Sequence, residues 1–215
     1  MTARIHDDLD NFWRDAEACQ RCVSLAPWRK FPFDARGNPR TGIVILGEAP
    51  GRVSLDNRRP FSNPRNLMIR RAFARAVAPK VVEPEAMVYF TDAVKCWPAS
   101  PTGANRSPSA SEVSTCGEVH LSRELALLKP RVIFAFGKRA TDALLNRATK
   151  LASLHGKVIE LQDGIRVIPL MHPSTINIAG MRRVAISSLE DYEVKLAALF
   201  RRELDRLKID VSPNS

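Results

Sequence analysis

The sequence predicts an α/β fold, with a mostly parallel sheet and helices on both of its faces. Apolar runs rich in Val, Ile and Phe alternate along the chain with segments whose apolar residues recur at helical spacing. This alternation is typical of parallel sheets, because a helix brings each strand back to the same direction. Polar or glycine-containing turns follow several of the runs, so those turns should share the carboxyl edge of the sheet. Open sheets of this kind bind ligands at that edge.

The turn at residues 47–51, with the sequence Gly-Glu-Ala-Pro-Gly, is the most informative stretch. Four apolar β-formers at 43–46 lead directly into it, which predicts a buried strand. Gly47 and Gly51 allow close approach of the backbone to a ligand, and Glu48 is the only charge in the turn. An ordinary βα turn remains an alternative on this stretch alone.

The other elements follow from periodicity and from turn residues. The apolar spacing of Leu9, Phe12 and Ala16 predicts a first helix, and Ser109 or Ser111 is placed to cap a later one. The predicted strands are 43–46, 87–94, 131–137, 157–161 and 166–171. The predicted helices are 5–18, 65–78, 110–128, 138–147 and 183–208. The predicted loops include 27–40, 58–64 and 97–109, and a disordered tail is expected at about 210–215.

Length and charge limit the classes of function. The chain has 215 residues, which suits a single domain spanning 1–215, and its 33 Lys and Arg against 23 Asp and Glu give a net charge of +10. A strongly basic protein favours a polyanionic partner, and nucleic acid is the first expectation. No apolar run is long enough to span a membrane, and the acidic N-terminus is unlike a signal peptide. We therefore expect a cytoplasmic, nucleoid-associated protein without a membrane partner.

Four cysteines suggest a metal site. Cys19 and Cys22 form a C-x-x-C pair, and Cys96 and Cys116 lie far downstream. Zinc and an iron–sulfur cluster both accept four thiolates, and the wide second spacing favours iron–sulfur. Four unrelated buried thiols are the alternative.

Several side chains are expected at one edge of the sheet. Glu48, Asp92 and His172 each follow a predicted strand, and Phe61 lies one loop beyond the first. Two carboxylates, an imidazole and an aromatic ring in a basic protein are typical of a pocket for a nucleobase with acid–base or electrostatic chemistry. A Phe packed under its own loop is the commoner alternative for Phe61.

These residues occur in motifs that place the chain in a family. In order and spacing it resembles the iron–sulfur uracil-DNA glycosylases, the fourth family of that superfamily, over roughly residues 15–200. The motifs are the C-x-x-C pair, the turn 47–51, Arg59-Pro60-Phe61, Val94-Lys95-Cys96, Asn105-Arg106-x-Pro108, Cys116 and His172-Pro173-Ser174.

The resemblance implies a three-layer αβα sandwich around a four-stranded parallel sheet. It also implies a structural [4Fe–4S] cluster on the four cysteines and a uracil that is flipped out of DNA into the sheet-edge pocket. Phe61 would stack on the base, His172 would donate to uracil O2, and Glu48 would position or polarise the attacking water. The implied base contacts further include Gly47, Ala49, Asp92 and Ser174. The implied DNA contacts are Arg59, a wedge at Ile176 or Ile178, and phosphate contacts at Arg182 and Arg183.

Asp92 departs from the family pattern, which has Asn there. An ionised Asp would present a second acceptor to uracil O4, whereas a buried, protonated Asp reproduces the donor and acceptor of Asn. The change also suits cytosine-like edges, so altered base reading is an expectation. The segments after Gly51 and after Phe61 differ from the family as well.

Three functions remain open on the sequence. The first is a monomeric, monofunctional glycosylase that acts on uracil in DNA and leaves an abasic site. The second is a low-turnover protein of the same superfamily that binds uracil-containing or abasic DNA. The third is a zinc protein unrelated to repair.

Overall fold

The structure is a computed structural model that describes residues 4–28, 36–79, 84–173 and 178–208. Its five strands are β1 (Ile43–Gly47), β2 (Tyr89–Asp92), β3 (Val132–Phe136), β4 (Ile159–Glu160) and β5 (Arg166–Leu170). The α-helices are α1 (Arg4–Ala18), α2 (Arg52–Asp56), α3 (Leu67–Val77), α4 (Ala110–Cys116), α5 (Ser122–Leu128), α6 (Lys138–Leu145), α7 (Leu151–Leu154), α8 (Ile178–Arg183) and α9 (Leu189–Arg206). Short 3₁₀ helices occupy Val23–Trp28 and Pro84–Met87.

The sheet has the strand order β2-β1-β3-β5-β4. The first four strands of this order are parallel, as predicted, and β1 lies between β2 and β3. The expected four-stranded parallel sheet is confirmed, and a fifth strand, β4, extends it by pairing with β5 in the antiparallel direction. An edge strand entered through a tight turn can run antiparallel without disturbing the parallel core.

Each strand alternates its side chains between two apolar layers. Ile43 and Ile45 of β1 face one layer, where α3 and α9 cover the sheet. Val44 and Leu46 face the other, which α1, α5 and α6 cover. Because every residue of β1 is buried, its sequence is a continuous apolar run and does not alternate between apolar and polar residues.

The helix predicted over 110–128 is continuous but not uniformly α-helical. Ser109 and Glu112 form a capping box at its start, as the sequence indicated. A π-helical turn, Gly117–Leu121, separates α4 from α5. The helix predicted to start at 183 starts instead at Leu189, because Ser188 caps it and Ala185 has a φ of 57°.

Buried contacts join the last helix to the sheet. Arg166 of β5 forms an ion pair with Glu203 of α9 at 2.6 Å, and both side chains are buried. Among the described residues, every helix is too short or too polar to cross a lipid bilayer.

Candidate active site

The carboxyl ends of β1 and β2 bring three of the predicted residues together. Gly47 is the register partner of Asp92. A Cβ atom on Gly47 would lie 2.3 Å from Asp92 Oδ1 and 2.9 Å from Phe61 Cζ. The missing side chain therefore allows a carboxyl group and an aromatic ring to close on the same point of the backbone.

Asp92 is buried at this point, with 5% of its surface exposed. Burial raises the pKa of its carboxyl to about 7. The positive charges of Lys95 and Arg36 oppose this rise, and the negative charges of Glu124 and Glu48 add to it. The protonated form is therefore populated at neutral pH, and it offers one donor and one acceptor.

A buried polar network lies behind Asp92. The Lys95 ammonium donates to the backbone carbonyl of Asp92 and to Thr91 Oγ1, and it pairs with the Glu124 carboxylate. The side chains of Lys95 and Glu124 are 2% and 0% exposed. Lys95 is thus fully engaged in a buried ion pair.

Phe61 is packed beneath its own loop. It is buried, and its backbone φ is 54°. The centroid of its ring lies 5.6 Å from that of the Phe90 ring and 6.4 Å from that of the Phe136 ring. Arg70 holds the loop by donating to the carbonyls of Pro60 and Phe61. The ring serves as an apolar plug in this arrangement, and its edge reaches Gly47.

Glu48 interacts with the start of α6. Its Oε1 accepts the backbone N–H of Arg139 at 2.9 Å, which satisfies one of the free donors of that helix end. Gly137, the residue before α6, has a φ of 103°, and a Cβ there would lie 2.5 Å from Glu48 Oε1. Burial raises the pKa of Glu48, and the Arg139 N–H opposes this rise.

Glu48 and His172 line one open cleft of about 480 Å³, together with Ala49. That volume is within the range of ligand sites. His172 is half-buried, and burial lowers the pKa of its imidazole to about 4. The ring is therefore neutral at pH 7 and keeps an N–H donor.

The backbone just before His172 is held from two sides. The N–H of Met171 donates to His155 Nδ1 at 3.1 Å, and the Tyr192 hydroxyl donates to the Met171 carbonyl at 2.6 Å. These contacts fix the end of β5 from which His172 projects. No motif in the sequence marks His155 for a role.

The four cysteines line one small cavity, between the end of α1, the loop after β2 and α4. Cys116 is buried and the other three are half-buried. The backbone N–H of Lys95 donates to Cys116 Sγ at 3.3 Å, and burial raises the pKa of this thiol to about 11. Within the described part of the chain, no three His, Cys, Asp or Glu side chains are arranged to hold a single metal ion.

Comparison with known proteins decides the family. The family model of the uracil DNA glycosylase superfamily matches residues 35–191, which is more than half of the chain. The chain belongs to the uracil DNA glycosylase superfamily. The sheet edge and cleft described above fall within the matched residues.

Similar curated proteins carry the name type-4 uracil-DNA glycosylase. The one from Pyrobaculum aerophilum is 29% identical over 206 residues, covering 93% of this chain and 96% of its own length. The one from Archaeoglobus fulgidus is 28% identical over 177 residues, covering 79% and 83%. The one from Thermotoga maritima is 27% identical over 158 residues, covering 72% and 77%.

The DNA-contact candidates of this superfamily member are only partly described. Arg59 pairs with Glu85, and about half of its side chain is exposed. Arg182 and Arg183 end α8 and are exposed. Ser174 and Ile176 lie outside the described residues, and for Ile178 only the helical backbone is described.

The cleft also contains polar residues that sequence reasoning did not assign to the site. Asn63, Asn66 and Asn105 line it with Arg106. Asn105 Oδ1 accepts from Trp97 Nε1 at 2.7 Å and from the N–H of Arg52 at 3.0 Å. Asn105 thereby joins the loop after β2 to the start of α2. Its motif was recognised in the sequence, but its partners lie on distant segments.

Proposed function

We propose that this protein is a monomeric, monofunctional uracil-DNA glycosylase of base-excision repair. It hydrolyses the N-glycosidic bond of uracil in DNA and leaves an abasic site. The observation that carries the proposal is the meeting of Gly47, Asp92 and Phe61 at one sheet edge, beside a cleft lined by Glu48 and His172. The names of the curated relatives support it. One sheet shared by both apolar layers supports a single domain.

The reaction breaks one bond and forms one. The target nucleotide leaves the stack and enters the pocket, because its glycosidic bond is inaccessible in a duplex. As the N1–C1′ bond breaks, its electron pair passes to the base and negative charge grows on uracil O2. The oxygen of water then bonds to C1′ and its released proton goes to an acceptor in the cleft.

His172 stabilises the departing base. A neutral imidazole N–H directed at O2 becomes a stronger hydrogen bond as the charge develops, so it lowers the barrier rather than only binding the substrate. The lowered pKa of His172 keeps the ring in this form at physiological pH. The contacts of His155 and Tyr192 to Met171 support the positioning of this donor.

Glu48 acts on the water. One of its oxygens is held by the Arg139 N–H, so the carboxylate is fixed in direction where it lines the cleft, and it orients a water molecule there. The turn 47–51, including Gly47 and Ala49, supplies backbone contacts to the base.

The protonated form of Asp92 recognises the base. The O–H donates to uracil O4 and the carbonyl oxygen accepts from N3–H, which reproduces the pattern of an Asn. The raised pKa of Asp92 supports this assignment. Phe61 contacts the base through the edge of its ring that reaches Gly47, and Ser174 completes the base contacts.

Basic side chains hold the DNA backbone. Arg59, Arg182 and Arg183 contact phosphates, and Ile176 or Ile178 fills the space left by the flipped base. The partners are thus uracil-containing DNA and the abasic product, which implies association with the nucleoid. Lys95 does not form a Schiff base, because its amine is buried against Glu124.

The cysteines hold a [4Fe–4S] cluster with a structural role. Four thiols around one shared cavity are the ligand set that such a cluster takes. The wide spacing between Cys96 and Cys116 in the sequence favours it over zinc. Bound there, the cluster links α1 and the loop after β2 to the core and supplies no step of the hydrolysis.

The deciding experiment is a cleavage assay on single-lesion oligonucleotides. Purified protein is incubated with strands that carry one uracil, hypoxanthine, mismatched thymine or cytosine, and alkali then breaks any abasic site. Scission at uracil is the expected result. A His172→Ala protein prepared in parallel identifies any contaminating glycosylase.

Two other outcomes overturn parts of the proposal. Scission only at another base means that Asp92 has changed the specificity. No scission, together with tight retention of uracil or abasic DNA in a gel, means that the protein is a binding module of the superfamily.

A further inference from the structure

His120 is a buried histidine with no hydrogen-bond partner in the part of the chain that the structure describes. It is 5% exposed, and neither ring nitrogen has a partner among the described residues. More than nine in ten buried polar groups in folded proteins are paired, so an imidazole with two unpaired nitrogens requires an explanation. None of the chemistry assigned above to the sheet edge uses this residue.

The cavity that His120 lines is the one lined by the four cysteines. On another side the ring packs against Phe12 of α1, at 6.0 Å between centroids and nearly perpendicular. Phe12 offers no conventional hydrogen-bonding group, and the nearby Lys95 ammonium is occupied by Glu124 and Thr91. The cysteine cavity is therefore the place where a partner for the imidazole fits.

The position of His120 on its helix also favours a partner in the cysteine cavity. His120 follows Cys116 by four positions, so the two residues lie on one face of the helix. The π-helical turn Gly117–Leu121 contains His120 and begins directly after Cys116. Such turns are rare and are frequent at functional sites.

We propose that His120 donates an imidazole N–H hydrogen bond to a sulfur atom of the iron–sulfur cluster, either an inorganic sulfide or a cysteine thiolate. This inference rests on the cluster proposed above. Either tautomer of a neutral imidazole carries one N–H, so the donor does not depend on protonation. A hydrogen bond to sulfur withdraws negative charge from the cluster, which raises its reduction potential and slows loss of iron.

The test compares full-length holoproteins by cluster properties rather than by activity. His120→Phe keeps a ring and removes the donor, His120→Leu is a second donorless variant, and His120→Gln restores an N–H. His6→Gln, at an exposed position on α1, is the control. The measurements are iron and sulfide content, resonance Raman Fe–S frequencies, midpoint potential and the rate of bleaching near the iron–thiolate band with a chelator.

The donorless variants should bleach about tenfold faster, at the low end for residues that support metal ligands. Their midpoint potential should fall and their Fe–S frequencies should shift, and His120→Gln should recover most of each change. Unchanged bleaching, potential and frequencies in a fully loaded donorless variant would overturn the role of His120 alone. A wild-type protein without iron and sulfide would overturn the cluster, and this inference with it, while leaving the cleavage assay to judge the glycosylase.

Discussion

The amide N–H of Met171 donates to Nδ1 of His155 at 3.1 Å, so a histidine that follows α7 fixes the residue just before His172. The Tyr192 hydroxyl holds the carbonyl of the same residue. The donor proposed for the departing base is therefore attached to a backbone that two other elements immobilise. Such preorganisation is what an electrostatic stabiliser requires, because it need not reorganise during the reaction.

Replacing His172 should reduce cleavage without preventing folding. His172→Ala should lower the single-turnover rate on uracil by about 10²- to 10³-fold, as loss of one preorganised donor does. The pKa of His172 lies at about 4, so the wild-type rate should show no loss attributable to its protonation between pH 8 and 5. His6→Ala is the matched control, and an equal loss in that variant would contradict the assignment.

The rate of uracil cleavage should fall at alkaline pH, because Asp92 then loses its proton. Only its protonated form reads uracil, and its pKa is about 7, so the wild-type rate should fall roughly 50-fold from pH 7 to pH 9. Asp92→Asn does not titrate and should keep its rate over this range. Rate–pH profiles of both proteins check this, and parallel profiles would contradict it.

The same substitution should also change stability with pH. The pKa of Asp92 is raised on folding from an ordinary value near 3.9, so ionisation favours the unfolded chain. The contribution of Asp92 to the free energy of unfolding should therefore decrease from pH 4 to pH 7 and then level off. Urea denaturation should show Asp92→Asn gaining on the order of 2–4 kcal/mol over wild type between pH 4 and pH 8. A constant difference would show that Asp92 does not titrate in this range.

Gly137→Ala should show whether the position of Glu48 affects the cleavage rate, apart from the effect of backbone strain on stability. The new Cβ would lie 2.5 Å from Glu48 Oε1, at a φ of 103°. Gly164→Ala is the control, since its φ is 79° and no described atom lies within 4 Å of the new atom. Both variants should lose about 1–2 kcal/mol of stability, measured by denaturation. Only Gly137→Ala should also lose most of its cleavage rate, and equal rates in the two would reject the role of Glu48.

Arg182 and Arg183 should contribute to binding through phosphates. Alanine at either position should weaken binding of all DNA sequences alike and reduce the slope of log K against log salt by about one. Fluorescence anisotropy at several salt concentrations measures the slope. Arg206→Ala, an exposed arginine at the end of α9, is the control, and a slope that this change lowers equally would refute the assignment.

The sequence predicted the parallel sheet, the functional side chains at its carboxyl edge and the grouping of the cysteines. These depend on patterns within one segment, such as the apolar run 43–46, or on motifs of fixed spacing. The meeting of Gly47 with Asp92 follows from strand ends alone, once the sheet is parallel.

Features that depend on contacts between distant segments could not be predicted. Glu48 accepts from an N–H that lies 91 residues further along the chain. The contacts of His155 and Tyr192 with Met171 cross 16 and 21 residues. The π-helical turn around His120 is local, but its i→i+5 hydrogen bonds replace those of an α-helix over a single turn, and no residue type in 117–121 marks the change.

The hydroxyl of Tyr192 has a consequence for biosynthesis. Tyr192 is on α9, which is synthesised after β5 and every other strand. While the ribosome is still making α9, every strand has been synthesised, but one apolar layer of the sheet lacks this helix and the carbonyl before His172 has no hydroxyl to hold it. The same helix therefore completes both the apolar core and the catalytic geometry, so that base excision begins only once α9 has docked.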